Sequence, residues 1–351
     1  MTKEAISSRS HYFPAEWAKQ SAVLLSWPHS ETDWASTLEH AEENYLSITL
    51  AIIRFQTVLI VCHNENLKKR VQRLFSKQPN VERIHYQVIP TDDTWIRDYG
   101  PLSIVKDNQI ELLDFQFNGW GNKFDATKDN AVNLQLHQQG AFKATQFHTL
   151  PVVLEGGSIE SDGEGTLLTT QHCLLSPERN PNLTKAELEY HFKDYFGVQR
   201  VLWLSYGQLE GDDTDGHIDT LVRFCSPSHL CYVRCDDPND SHYAEMQHME
   251  EELKALRMAN GKPYKLSPLP WPSAKYNKDG ERLPATYANF LIINGAVLLP
   301  VYNDKKDAEA VVTLQTCFPK HEIIPINCLP LIEQSGSLHC ITMQLSDGLI
   351  E

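Results

Sequence analysis

Short, unbroken apolar runs alternate with mixed polar stretches along this chain. Ser21 to Trp27 (SAVLLSW) and Val58 to Cys62 (VLIVC) read as buried strands, because runs this short and this apolar suit strands covered on both faces. Thr32 to Phe55, rich in Glu and Ala, predicts a helix between them, and Asn66 to Ser76 predicts a basic helix after them. Beyond Pro90 the texture changes to paired strands with acidic or glycine turns. Helices at Lys185 to Phe196 and Ser241 to Met258 interrupt those pairs.

The strand pairs repeat. Asp98-Tyr99-Gly100 leads into PLSIV and then IELLDF, and Glu155-Gly156-Gly157 leads into SIES and then GTLLTT. Gly216-His217-Ile218-Asp219 precedes TLVRF and HLCYV, Asn289-Phe290 precedes LIIN and AVLLPVY, and His339-Cys340 precedes ITMQL. The landmarks Asp98, Glu155, His217, Asn289 and Cys340 are 57, 62, 72 and 51 residues apart. A period of this size suggests radially arranged modules, each placing one polar residue at the head of a strand.

Composition narrows the function. The 351 residues suffice for two ordinary domains or one large one, and 41% hydrophobic with 22% charged residues is a globular balance. Thirty-one basic against forty-six acidic residues leave a net charge of −15. That argues against a nucleic-acid partner and is compatible with a small cationic substrate. The longest apolar run, Phe290 to Tyr302, is interrupted by Asn294, Gly295 and Pro300 and falls short of the roughly twenty residues of a membrane span. Met1 to Trp17 lacks the apolar core of a signal peptide. The eight cysteines read as reduced thiols, so a cytoplasmic location is expected.

Four polar landmarks carry chemistry. Cys340 follows Gly336-Ser337-Leu338-His339 at a glycine-loosened strand entrance, where a thiol is either a nucleophile or a small core residue. His217 and Asp219 would share one strand face if Ile218 points inward, giving a proton carrier beside a cation-binding carboxylate; a solvated acidic turn is the alternative, as is a calcium loop, though the stretch lacks the alternating Asp positions and terminal Glu of the EF-hand template. Trp95 and Asp98 bracket Arg97, and a tryptophan face with carboxylates suits a planar cation; an Arg97–Asp pair fixing the loop is the other reading. Glu155, beside two glycines, is placed to hydrogen-bond an imidazole. No phosphate-cradling loop occurs, and Gly156-Gly157-Ser158-Ile159-Glu160 misses the nucleophile elbow. Cys225, His229, Cys231 and Cys235 raise zinc, but their spacing matches no zinc template and the segment reads as a hairpin. No metal and no cofactor are expected.

WIRDYGP, LEGGSIESDGEGTLLTT, DGHIDTLVRF, NGAVLLPVY and the late GSLHC together resemble the agmatine deiminase and bacterial peptidyl-arginine deiminase family. The resemblance runs from about Phe13 to Gln344. It implies an α+β pentein fold, an α/β propeller of five ββαβ-like modules around a pseudo-five-fold axis, with residues 1–351 as one catalytic domain. It makes Cys340 the nucleophile, His217 the acid/base and Glu155 its orienter, with Asp98 and Asp219 gripping the guanidinium. Trp95, Trp120 and Asp215 join Asp98 and Asp219 as substrate-binding residues, with Asp212 and Asp213 also turned toward a distal ammonium. The implied substrate is a small cationic guanidine, agmatine or an arginine derivative, and the implied assembly allows a homodimer. The family's usual Thr-Asn-Gly-His-Val-Asp and Gly-Gly-Gly-Asn stretches are altered here to Thr214-Asp215-Gly216-His217-Ile218-Asp219 and Gln334-Ser335-Gly336-Ser337, beside intact reacting groups. An amidinotransferase and a non-catalytic binding module are the competing classes.

Overall fold

The computed structural model describes residues 11–144 and 146–350. Residues 1–10, the head of the N-terminal segment considered above, lie outside them. The described chain forms five mixed sheets and a two-stranded ribbon, Lys275–Tyr276 with Arg282–Leu283. The first sheet is built from β1 (Gln20–Ser26), α1 (Leu38–Ile52), β2 (Thr57–Cys62), α2 (Glu65–Phe75) and β3 (Ile84–Val88). The second comprises β4 (Leu102–Lys106), β5 (Gln109–Gln116), α3 (Val132–Gln138) and β6 (Gln146–Val153), with His11–Tyr12 paired to its edge. The third comprises β7 (Ile159–Ser161), β8 (Thr166–Thr170), α4 (Lys185–Phe196) and β9 (Arg200–Leu204). The fourth runs β10 (Val222–Ser226), β11 (His229–Val233), α5 (Tyr243–Ala255) and β12 (Lys265–Leu269). The fifth runs β13 (Leu291–Ile293), β14 (Ala296–Val301), α6 (Asp307–Cys317) and β15 (Glu322–Asn327), before the final strand β16 (Met343–Ser346).

One pattern recurs. In the second to fifth sheets the first two strands pair antiparallel and the third returns parallel after a helical crossover. The first sheet obeys the same rule only because β16 comes back from the far end of the chain, with Met343 opposite Leu24. A parallel return requires a crossover long enough to span the sheet, and the helices supply it. The repeat expected from the polar landmarks is therefore a repeat of sheets, in a mixed α/β fold.

Local sequence explains the elements. In β2, Val58 to Cys62 are buried as a continuous apolar run, as a central strand with both faces covered requires. Helix α2 turns Leu67, Val71 and Phe75 inward at four-residue spacing, and Asn64 caps it by accepting the Leu67 N–H. A capping box of Thr184 with Glu187 starts α4, and Gly197 in the left-handed region ends it. The helix expected over Thr32 to Phe55 is shorter. Thr32 instead caps a 3-10 turn at Asp33–Ser36 that buries Trp34, and α1 starts only at Leu38. His217 and Asp219 are not on a strand either: Ile218–Thr220 is a 3-10 turn, so their shared direction comes from that turn.

Candidate active site

Each of the five sheets is preceded by a tight segment carrying a polar residue, and these segments touch one another. The Arg97 N–H donates to the Cys340 carbonyl at 3.1 Å. Asp98 Oδ1 accepts the Gly157 N–H at 3.0 Å and lies 3.5 Å from His217 Nδ1. Asp219 Oδ2 is 2.6 Å from His339 Nδ1, and the His339 N–H donates to Asn289 Oδ1 at 2.9 Å. The Cys340 thiol points at Asn289 Oδ1, 3.4 Å away. Segments far apart in sequence thus meet across a few hydrogen bonds.

Glycine makes the meeting possible. A Cβ on Gly157 would lie 2.7 Å from both Asp98 Oδ1 and His217 Nδ1 and 3.1 Å from Asp219 Oδ2, so no side chain fits among the three. Gly336 lies flat on Trp95, where a Cβ would come within 2.1 Å of the ring. Trp120 sits in a left-handed turn at φ 55°, ψ 46°, an uncommon conformation for a bulky residue. That turn aims its indole N–H at Asp98 Oδ2, 2.9 Å away.

Cys340, His217, Asp98, Trp95 and Trp120 line one cavity of about 230 Å³. Its wall also carries the carboxylates of Asp33, Asp93, Asp212, Asp213 and Glu333, and no Lys or Arg among the described residues. Below it, Glu155 and Asp219 are fully buried. Four buried polar atoms here have no hydrogen-bond partner: Glu155 Oε2, His217 Nε2, Asp219 Oδ1 and Asn289 Nδ2. Unpartnered buried polar atoms are uncommon in folded proteins, and four of them are gathered around this one site.

The charges are tuned by that burial. Burial, then Asp219 and Asp98, push the Cys340 thiol well above its ordinary range. Burial alone would lower His217, but Asp98 foremost, with Cys173 and Glu155, lifts it well above its ordinary value. Burial also raises Asp98 to about 6 against the opposing pull of His217. Asp219 runs the other way: burial would raise it most, but the hydrogen bond to His339 together with the charges of His339, His217 and Arg223 keeps its carboxyl low. At neutral pH the site holds a protonated thiol, an imidazolium and two carboxylates.

Two expectations change. Asp215 does not line the cavity, because Arg179 Nη1 and Lys123 Nζ occupy its two oxygens at 2.7 and 2.8 Å. Asp213 lines the wall instead, half-buried and raised to about 6 by burial and by Asp212. Glu155 makes no hydrogen bond to the imidazole; Arg179 Nε binds its Oε1 at 2.7 Å, while a carboxylate oxygen stays within 4.8 Å of a His217 ring nitrogen and of Cys173 Sγ. The loop-fixing reading of Arg97 fails as well. Its guanidinium turns away from Asp98 to Gln344 Oε1, 2.6 Å away, and to the His339 carbonyl.

Sequence reasoning missed His339, Glu16, Arg179 and Cys173. His339 is held between Asp219 and Glu16, with its Nε2 2.8 Å from Glu16 Oε2. Its place beside Cys340 was the one available signal. The other three come from segments with no motif of their own.

A buried cysteine, a histidine raised by carboxylates and an acidic cavity in a mixed α/β fold define an enzyme built for a cationic, carbonyl-like carbon. Residues 12–346 match the family model for Porphyromonas-type peptidyl-arginine deiminase. An agmatine deiminase of Stutzerimonas stutzeri is 32% identical, covering 95% of both chains. Two solved structures are similar throughout. A Porphyromonas gingivalis protein provisionally named an arginine deiminase is 47% identical, with a TM-score of 0.91 over 97% of this chain and 100% of that one. A C. jejuni agmatine deiminase, solved with substrate bound in a variant that replaces one cysteine by serine, is 37% identical, with a TM-score of 0.90 over 97% of each chain. The chain belongs to the Porphyromonas-type peptidyl-arginine deiminase family, and it is a hydrolase of guanidino C–N bonds. Among the described residues no helix is long and apolar enough to cross a membrane.

Proposed function

We propose that this enzyme hydrolyses agmatine to N-carbamoylputrescine and ammonia through a covalent thiouronium on Cys340. The observation that carries the substrate choice is the cavity wall. It presents carboxylates and no Lys or Arg among the described residues, which suits a dication and offers no cationic partner for the carboxylate of free arginine. Asp98 and Asp219 hold the planar guanidinium and place its carbon over Cys340. The thiol gives up its proton to solvent as the cation binds, and the thiolate sulfur bonds to that carbon, forming a neutral tetrahedral adduct. His217, already protonated, donates a proton to the departing amine, and the C–N bond breaks to release ammonia. Water then gives a proton to the neutral His217 and its oxygen bonds to the carbon. The C–S bond breaks as the adduct's hydroxyl proton passes to the departing sulfur, leaving the ureido product, the free thiol and a protonated His217. The residues present need no metal or organic cofactor for this route.

The same reading takes the five sheets as the modules of a pentein propeller around a pseudo-five-fold axis, with the chain acting as one catalytic domain. The contacts between successive strand heads support it. All eight cysteines are free, which fits the cytoplasm. The test is incubation with agmatine, arginine and a blocked arginine ester, scored for ureido product and ammonia. Agmatine turned over fastest, with one ammonia per product, is the expected result. Faster turnover of the blocked ester would make it a peptidyl-arginine deiminase, and amidino transfer without ammonia would make it an amidinotransferase. Cys340→Ser should be inactive yet folded, and acid-quenched wild type should carry an adduct on the Cys340 peptide.

A further inference from the structure

The hairpin weighed for zinc on sequence grounds gains a further ligand from the fold. Cys225 lies near the end of β10, His229 opens β11, and Cys317 closes α6, 88 residues from His229. The two thiol sulfurs and one His229 ring nitrogen all lie within 4.8 Å of one another. Cys317 Sγ is 4.0 Å from His229 Nε2. The ladder slips between Phe224 and Ser226, and Cys225 is the residue that the bulge leaves over. Bulges of this kind re-aim a side chain. All three residues are buried but retain 7–8% exposure, so the cluster lies just under the surface. None of them lines the catalytic cavity.

The donor set is specific. Two thiols and an imidazole are the ligands of zinc and of other thiophilic cations. Zinc–sulfur and zinc–nitrogen bonds of about 2.3 and 2.0 Å would bring such ligands to within about 4 Å of each other, close to the spacing already present. Ser267 Oγ, 2.8 Å from His229 Nε2, marks the remaining side of the cluster.

We propose that Cys225, His229 and Cys317 form a binding site for a thiophilic divalent cation of the zinc class, separate from the catalytic cavity. Binding releases the two thiol protons and leaves two thiolates and one neutral imidazole on the ion, with the fourth position open to water or to Ser267. The ion joins the hairpin of the fourth sheet to the end of α6 in the fifth, so it raises the stability of the assembled sheets rather than turning over substrate.

The test uses the whole chain, stripped with a chelator and then titrated with zinc(II) or cobalt(II). Elemental analysis should find one zinc per chain, and cobalt should give the visible bands of a tetrahedral thiolate complex. Zinc should protect the Cys225 and Cys317 peptides of wild type from alkylation and leave the Cys340 peptide reactive. Cys317→Ser and His229→Gln should lose the metal, whereas Cys340→Ser should keep it. Peptide mapping of wild type decides the matter even if Cys317→Ser does not fold. No zinc uptake, protection confined to Cys173 or Cys340, or a disulfide between Cys225 and Cys317 would each overturn the proposal.

Discussion

Two clusters of buried carboxylates lie side by side in this molecule, and one is closed while the other is open. In the closed one Arg223, fully buried, gives its Nε to Glu160 and its Nη2 to Glu16 Oε2 at 2.7 Å. Its Nη1 donates to the carbonyls of Ala288 and Phe290, and the Phe290 ring lies 4.6 Å from its guanidinium carbon. In the open one Asp98, Asp219, Glu155 and His217 surround the cavity floor, and three of the four keep an unpartnered buried atom. His339 joins the two, with one ring nitrogen on Asp219 and the other on Glu16. The same chemistry that seats a resident guanidinium in the first cluster has one only at Glu155 in the second, from Arg179, while Asp98 and Asp219 hold none. There it meets a thiol and an imidazolium that the first lacks. What separates a structural ion pair from an active site here is whether the fold supplies the cation.

The largest way to break that contrast is at the acid. His217→Asn removes the proton donor and leaves the carboxylates in place, so kcat should fall by about 10²–10⁴ with the fold intact. Steady-state kinetics checks this, and near-normal kcat would move the acid elsewhere. Next comes a matched pair of substitutions. Arg223→Met strands Glu16 and Glu160 in the interior and should lower stability by about 3–5 kcal/mol in urea unfolding. Asp219→Asn leaves one guanidinium edge unpaired and should cost about 2–5 kcal/mol of binding and catalysis in kcat/KM, with little change in unfolding. If the two variants exchanged these signatures, the division between closed and open clusters would be wrong.

The strand heads were legible because each sits where local pattern changes abruptly from a polar residue to an apolar run, with a glycine close by at Asp98, Glu155 and His217. Asp98, Glu155, His217, Asn289 and Cys340 all mark such a change. What could not be read was partnership. Asp215 looked free in an acidic loop, yet its cations come from Arg179 and Lys123, 36 and 92 positions away. Glu16 had no motif, because its importance lies in facing Arg223 and His339, 207 and 323 residues on. The strand pattern predicted each hairpin, and only the fold showed that β16 completes the first sheet.

A smaller effect sharpens the carboxylates. Asp98 titrates near 6, while the guanidinium stays charged throughout and Asp219 is held low. As pH falls, Asp98 gains a proton and loses its grip on the substrate. The acid limb of kcat/KM should therefore have a midpoint near 6, belonging to the Asp98–His217 pair. Asp98→Asn should be weakly active without that limb. A profile that is flat down to about pH 5 in wild type would show that Asp98 stays ionised. Gly336→Ala tests the cavity rim in the same assay. A methyl pressed into Trp95 should displace the ring and raise KM more than it lowers kcat.

The last contrast concerns the thiol itself. Burial, Asp219 and Asp98 all oppose ionisation of Cys340 and outweigh the Ser337 backbone and Asn289, which act in the other direction. The open cluster is thus set against its own nucleophile until a cation enters, which the closed cluster never requires. A bound guanidinium supplies the positive charge, so substrate binding should itself help form the thiolate. Each pKa unit of lowering raises the thiolate fraction about tenfold. A cationic haloacetamidine should accordingly inactivate the enzyme at about pH 7 roughly tenfold or more faster than neutral iodoacetamide, after correction for their rates with a free thiol. The gap should close as pH rises and Cys340 ionises unaided. Equal corrected rates at neutral pH would mean that His217 already holds a resting thiolate, and the cavity's carboxylates would then serve binding alone.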